Sequence, residues 1–162
     1  MVFYFSLLLV ISIIGIVGVA TNQNKICLRI NLLLLCVVLS IRDYSVGTDV
    51  SIYYNLFDHI DKSNDWLTII NIVSNAPIYS FLNKLISYLG GFRLLLIFEA
   101  VTLCIAVDKY TRDFSKSYIL TIYCFISLFF YMHAFNLSRQ FFSISFVLFA
   151  ICFRRNRKKY LH

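Results

Sequence analysis

The sequence predicts an all-α integral membrane protein, and three observations support this class. Hydrophobic residues make up 60% of the 162 residues, and charged residues make up only 14%. A soluble domain of this size cannot hide so much apolar surface. The apolar residues fall into long uncharged runs, and most basic residues lie beside the ends of those runs.

Five apolar runs are predicted to be membrane-spanning helices. The first is long enough to cross a hydrocarbon core of about 30 Å at about 1.5 Å per residue. A secretory signal peptide is the alternative for this run. It lacks a basic n-region, however, and Lys25 and Arg29 follow it instead. The predicted spans cover residues 2–20, 26–41, 92–107, 117–135 and 137–153.

Two polar segments separate the second span from the third. Residues 42–65 hold five aspartates and two basic residues, which is typical of a loop outside the cell. Residues 66–91 are interrupted at Pro77 and then place apolar side chains on one helical face and polar ones on the other. This pattern predicts a helix that lies at the outer interface or re-enters the membrane.

The distribution of basic residues predicts the orientation. Ten of the fifteen lie in segments on one side of the five-span arrangement, and five of these belong to a tail at 154–162. Cytoplasmic loops carry such an excess, so we expect the N-terminus outside and the C-terminus inside. The same placement argues against nucleic acid as a partner. The five cysteines form no C-x-x-C pair, and neither a metal nor a cofactor is expected.

The first polar block follows the second span and reads R-D-Y-S-V-G-T-D-V-S-I-Y-Y-N-L-F from Arg42. Gly47 permits a turn that a residue with a Cβ would resist. Thr48 and Asp49 are suited to cap a helix that starts at Val50. So many polar groups in an apolar chain indicate contact with water or with a ligand.

The second polar block reads H-A-F-N-L-S-R-Q and lies between the last two spans. Asn136 is expected to cap the fifth span, which places Arg139 and Gln140 in its first turn. A cation is poorly matched to the positive end of a helix dipole unless an anion binds there. The alternative is an arginine that extends to lipid headgroups.

Glu99 is the one ionisable residue well inside a predicted span. Such a residue is costly in lipid and suggests a functional site, although it could also bond to a neighbouring helix. The predicted orientation places Arg42, Asp49 and Arg139 at the same face of the membrane. We therefore expect the two arginines to share a cavity that binds a diphosphate, with an aspartate as general base.

These blocks, together with P-I-Y-S-F-L-N-K-L-I, resemble the EpsG family of Wzy-like membrane proteins of bacterial exopolysaccharide and capsule assembly. The resemblance implies a polymerase or glycosyltransferase of the inner membrane that uses a polyprenyl-diphosphate-linked oligosaccharide, with the lipid bilayer and other polysaccharide-assembly proteins as partners. It also implies that the chain matches the N-terminal part of longer proteins. The residues that carry over are Arg42, Gly47, Thr48, Asp49 and Tyr53, then Asn136, Arg139 and Gln140.

We assign individual roles to these residues by chemistry. Asp49, Arg42 and Arg139 are expected to be catalytic. The expected substrate-binding residues are Gly47, Thr48, Tyr53, Asn136, Gln140 and Glu99. Two other functions remain open: a truncated remnant or non-enzymatic assembly subunit, and a transporter of the same lipid-linked glycan. Paired discontinuous helices with midplane charges would favour the transporter.

Overall fold

The computed structural model describes residues 2–43, 46–47, 49–72 and 76–160. These residues form α-helices joined by short turns, with no strand among them, so the predicted all-α class is confirmed. The helices are α1 (Val2–Ala20), α2 (Asn24–Ile41), α3 (Val50–Lys62), α4 (Trp66–Ile72), α5 (Pro77–Leu89), α6 (Phe92–Phe114), α7 (Tyr118–Ser127), α8 (Phe130–Asn136) and α9 (Ser138–Tyr160).

Two helices in the described part of the chain are long and apolar enough to cross a membrane. They are α1, from Phe3 to Ala20, and α2, from Asn24 to Ile41. A short turn joins them, in which Asn22 adopts a left-handed conformation with φ of 57°. These helices correspond to the predicted spans 2–20 and 26–41.

The predicted span 117–135 contains a break between α7 and α8. The two helices are bent by 51°, and Phe129 at the break has φ of 62°. Tyr4 of α1 supports the break, since its hydroxyl donates to Ile126 O at 2.8 Å and its ring stacks on Phe129. If the bent pair is one span, the described residues hold three spans by length and composition.

Helices α6 and α9 are longer than the spans predicted for them. The spans were expected at 92–107 and 137–153, but both helices continue into charged sequence, and α9 carries the basic tail as helix to Tyr160. Over its described residues, neither helix meets the length and composition criterion for a span. By length and composition the described residues contain two spans, or three with the bent pair, so the predicted count of five is not confirmed.

The helices pack around α6, which contacts both apolar clusters of the fold. The larger cluster joins α6 to α1, α2, α7, α8 and α9 and includes Leu35, Ala100 and Ile126. The smaller cluster joins α6 to α3 and α5 and includes Val50 and Ile86. Helix α6 therefore holds α3 and α5 against the rest of the bundle.

Helix α5 does not present its polar face to water, as a helix that lies on a membrane surface does. Its polar residues Ser80, Asn83 and Lys84 are buried against the protein, whereas its apolar face is exposed. Ile78 at its start is 81% exposed, and Leu89 at its end is 74% exposed. The amphipathic pattern predicted for 66–91 is present, but the polar face turns inward.

The helix ends gather into two groups, which we call the site end and the basic end. The site end contains Arg42 and Gly47 after α2 and Asn136 at the end of α8, which contact one another. The basic end contains the α1–α2 turn, which lines a cleft with Tyr118. It also contains Arg155 of α9, whose guanidinium lies 4.4 Å from the centre of the Phe114 ring.

Candidate functional site

The turn after α2 packs closely against the end of α8. Gly47 has φ of +110°, a conformation that residues with a Cβ rarely adopt. A Cβ at this position would lie 2.7 Å from Asn136 Oδ1 and 2.8 Å from Phe135 O. The first polar block thus contacts the second, and the glycine is required for both its backbone conformation and its size.

Arg42 is buried, and its guanidinium joins these two blocks. Its Nη1 donates to Ala134 O at 2.9 Å and to Phe135 O at 3.1 Å. Burial lowers the pKa of Arg42, and nearby Glu99 opposes that shift. Arg93 of α6 in turn donates from Nη1 to the Arg42 carbonyl at 2.7 Å. These contacts make Arg42 a residue that positions the end of α8.

Glu99 is buried in α6 and accepts a hydrogen bond from α5. The Tyr79 hydroxyl donates to Glu99 Oε1 at 2.9 Å. Of the two alternatives raised by the sequence for Glu99, the bond to a neighbouring helix is therefore present. Sequence reasoning missed Tyr79. Its position two residues after Pro77, at the start of a helix with a polar face, was the available signal.

Tyr53 of α3 is partly buried, and charged residues of the site affect its pKa. Burial raises its pKa, Arg139 opposes that shift, and Asp49 and Glu99 add to it. Its ring also meets the Tyr79 ring edge-on, with 6.4 Å between ring centres. The charges of Arg139, Asp49 and Glu99 therefore all affect the pKa of one hydroxyl, although these residues are far apart in sequence.

Arg139 lines a cleft of about 560 Å³ between the start of α5 and the first turns of α9. The α9 wall follows one helical face, since its residues are spaced by three or four positions. Apart from the guanidinium, most of the lining is apolar or aromatic. The cleft is lined by Ala76, Pro77, Ile78, Tyr79, Arg139, Phe142, Ser143 and Phe146.

The model of the EpsG family matches residues 25–162 of this chain, which is most of its length. The chain belongs to the EpsG family. Comparison with curated proteins and with solved structures gives no match. The family match begins at the start of α2 and includes both polar blocks and the cleft, whereas α1 precedes it.

The remaining site residues of this EpsG-family chain have different surroundings. Asp49 precedes α3, so the predicted helix start at Val50 is confirmed, although within the described part of the chain the Asp49 side chain makes no capping hydrogen bond. Asn136 is the last residue of α8 and lies two positions before Ser138, the first residue of α9. Gln140 is exposed, and Thr48 lies outside the described residues.

The two arginines line different cavities. Arg42 and Glu99 line a small internal cavity of about 10 Å³, close to the volume that one water requires. Arg139 lines the larger cleft. Phe142 is part of both linings and forms the wall between them. This arrangement differs from the shared cavity expected from the sequence, because Arg42 turns inward to the carbonyls of α8.

Proposed function

We propose that this protein transfers glycosyl units during polysaccharide biosynthesis, in the manner of a Wzy-like polymerase of the bacterial inner membrane. The proposed substrate is a polyprenyl-diphosphate-linked oligosaccharide. Membership of the EpsG family and the membrane-spanning helices support a role in polysaccharide biosynthesis at a membrane. The observation that carries the proposal is the cleft in which Arg139 faces aromatic and aliphatic walls.

Arg139 is the proposed ligand of the diphosphate. It lies in the first turn of the 23-residue helix α9, where the helix dipole and free backbone N–H groups favour an anion. Its planar guanidinium can bond two phosphate oxygens at once. Here it would stabilise the negative charge that develops on the diphosphate as it leaves.

Asp49 is the proposed general base. It is partly exposed, and its charge raises the pKa of Tyr53, which the charge of Arg139 lowers. In the proposed step an acceptor hydroxyl attacks the anomeric carbon of the donor sugar, and its proton passes to the Asp49 carboxylate. The carbon–oxygen bond to the diphosphate breaks, and the diphosphate leaves with the electron pair.

The site end is proposed to face the outside of the cell. Lys25 and Arg29 lie near the α1–α2 turn at the basic end, where α6 also ends and α9 carries its basic residues. An excess of basic residues marks the cytoplasmic side. Sugar transfer would therefore take place at the outer surface of the inner membrane.

The test is complementation of polymer production in a strain that lacks the gene, with each variant expressed from the whole gene. Arg139→Ala and Asp49→Asn should each lower polymer production by at least about a hundredfold. Arg139→Lys should restore it only in part, since an ammonium lacks the planar fork. The matched controls are Arg154→Ala, an exposed arginine of the same helix, and Asp61→Asn, an exposed aspartate of α3.

Both controls should give wild-type polymer levels when the variants are present at equal amounts in the membrane. If Asp49→Asn also gives wild-type levels, Asp49 is not the base. If both site variants are active while deletion of the gene abolishes polymer, the protein is a non-enzymatic assembly subunit.

A further inference from the structure

The cleft next to Arg139 has its polar and apolar parts arranged in order along α9. Arg139 lies in the first turn, and Phe142, Ser143 and Phe146 follow on the same helical face. At about 1.5 Å per residue, Phe146 lies about 10 Å further along the helix than Arg139. The rings of Phe142 and Phe146 meet edge-on, with 4.9 Å between ring centres.

The facing wall comes from α5, and its exposed side is apolar. Ile78 lines the cleft and is 81% exposed, while the polar residues of this helix are buried behind it. Phe146 on the opposite wall is 54% exposed. Large apolar side chains at the rim of an opening are stable where lipid, rather than water, surrounds them. An exposed apolar rim of this kind is typical of a site that contacts lipid.

The charges that line the cleft indicate which class of ligand it can bind. Among the described residues that line the cleft, Arg139 is the one cation and none is a carboxylate. An anionic group thus fits at one end of the cleft, and a hydrocarbon fits from there toward Phe146. A lipid phosphate has this combination, with the headgroup and the chain joined in the same order.

We propose that the cleft next to Arg139 binds the first isoprene units of the lipid carrier, between Ile78 and the Phe142–Phe146 face of α9. The carrier enters this cleft from the bilayer. This inference rests on the proposed function, because it assigns the diphosphate to Arg139. It adds a chain-binding subsite, so affinity depends on the hydrocarbon as well as on the phosphates.

The experiment measures binding of two probes to the purified full chain in detergent: farnesyl diphosphate, which has a chain, and inorganic diphosphate, which has none. Phe146→Ala should weaken farnesyl diphosphate binding about tenfold and leave inorganic diphosphate binding unchanged. Phe146→Leu keeps an apolar side chain and should retain most of the affinity. Arg139→Ala should weaken binding of both probes.

Two exposed residues outside the cleft supply matched controls. Phe153 is on α9 and 67% exposed, and Leu89 is on α5 and 74% exposed. Phe153→Ala should bind farnesyl diphosphate like the wild type, as should Leu89→Ala, whereas Ile78→Ala should bind it more weakly. Because all these side chains are largely exposed, their replacement tests binding without removing core packing.

The outcomes separate the inference from the proposed function. If Arg139→Ala weakens both probes but Phe146→Ala and Ile78→Ala weaken neither, the chain subsite is wrong and the diphosphate site stands. If Arg139→Ala changes nothing, the proposed role of Arg139 fails. If phosphatidylglycerol displaces farnesyl diphosphate at equal concentration, the cleft binds anionic lipids in general, which contradicts the assignment to the carrier.

Discussion

Gly47 is the single residue on which the contact between the two polar blocks depends most. Its positive φ, and the Phe135 carbonyl oxygen 2.8 Å from the position that an added Cβ would take, leave no room for a side chain. The Asn136 side chain could move away from a new Cβ, but the Phe135 carbonyl is backbone. Any substitution at Gly47 therefore has to shift the end of α8, and with it the carbonyls that hold Arg42.

Gly47→Ala should lower the free energy of unfolding by about 1–3 kcal/mol, because strain and a steric clash add at one position. Thermal unfolding of the purified protein in detergent measures the change. Gly91→Ala is the matched control, since Gly91 has φ of −84° and open space within 4 Å of an added Cβ. Equal unfolding temperatures for the two variants would contradict close packing at Gly47.

At the scale of the helices, α5 is fixed in place by a buried cation. Lys84 is 2% exposed, and its Nζ donates to the carbonyls of Ile60, Asp61 and Ser63 at 3.3, 3.0 and 2.8 Å. These carbonyls lie at the C-terminal end of α3, where the helix dipole favours a positive charge. Lys84 therefore joins α5 to α3 through backbone carbonyls at the helix end, where intrahelical donors run out.

Replacing Lys84 should accordingly weaken the α3–α5 contact. Lys84→Met removes the cation while keeping a long apolar side chain, and it should destabilise the protein by about 1–3 kcal/mol. Lys62→Met is the control, because the Lys62 side chain is 72% exposed and pairs with Asp58 at the surface. Exposed ion pairs contribute about 0–1 kcal/mol, so that variant should unfold close to the wild type. Chemical denaturation measures the free energy of unfolding of each variant and so distinguishes the two outcomes.

The helices also show what sequence reasoning could and could not find. The start of α3 at Val50 follows from local chemistry, namely a glycine turn and an aspartate before an apolar periodic segment. The break at Phe129 has no such signal, because neither glycine nor proline is present and the contact that supports it comes from Tyr4. Likewise, the pairing of Tyr79 with Glu99 depends on how α5 docks on α6, which the local pattern does not specify.

For the whole molecule, the arrangement of α9 predicts the topology of the chain. Helix α9 begins beside the end of α8 at the site end, and Arg155 near its other end contacts Phe114 of α6 at the basic end. Lys62 lies at the end of α3. Contacts with α5 and α6 hold α3 near the site end. Opposite sides of the membrane are therefore expected for Lys62 and the C-terminus.

Reporter fusions after Lys62 and after His162 measure this directly. A periplasmic reporter such as alkaline phosphatase should be active after Lys62 and inactive after His162, and a cytoplasmic reporter should give the reverse pattern. Activity of the same reporter at both positions would show that the chain between them crosses the membrane an even number of times.

The inward polar face of α5 also constrains how the protein is made. An isolated helix that carried Lys84 and Asn83 into hydrocarbon would insert poorly, since a lysine at the centre of a membrane helix costs roughly 2.5–3.5 kcal/mol on insertion scales. The carbonyls that accept from Lys84 lie at the end of α3, which is synthesised before α5, whereas Glu99, which accepts from Tyr79, lies on α6 and is synthesised after it. During biogenesis, α3 is therefore available to pair with the lysine as soon as α5 is made, but the Tyr79 hydroxyl obtains its partner only when α6 has followed.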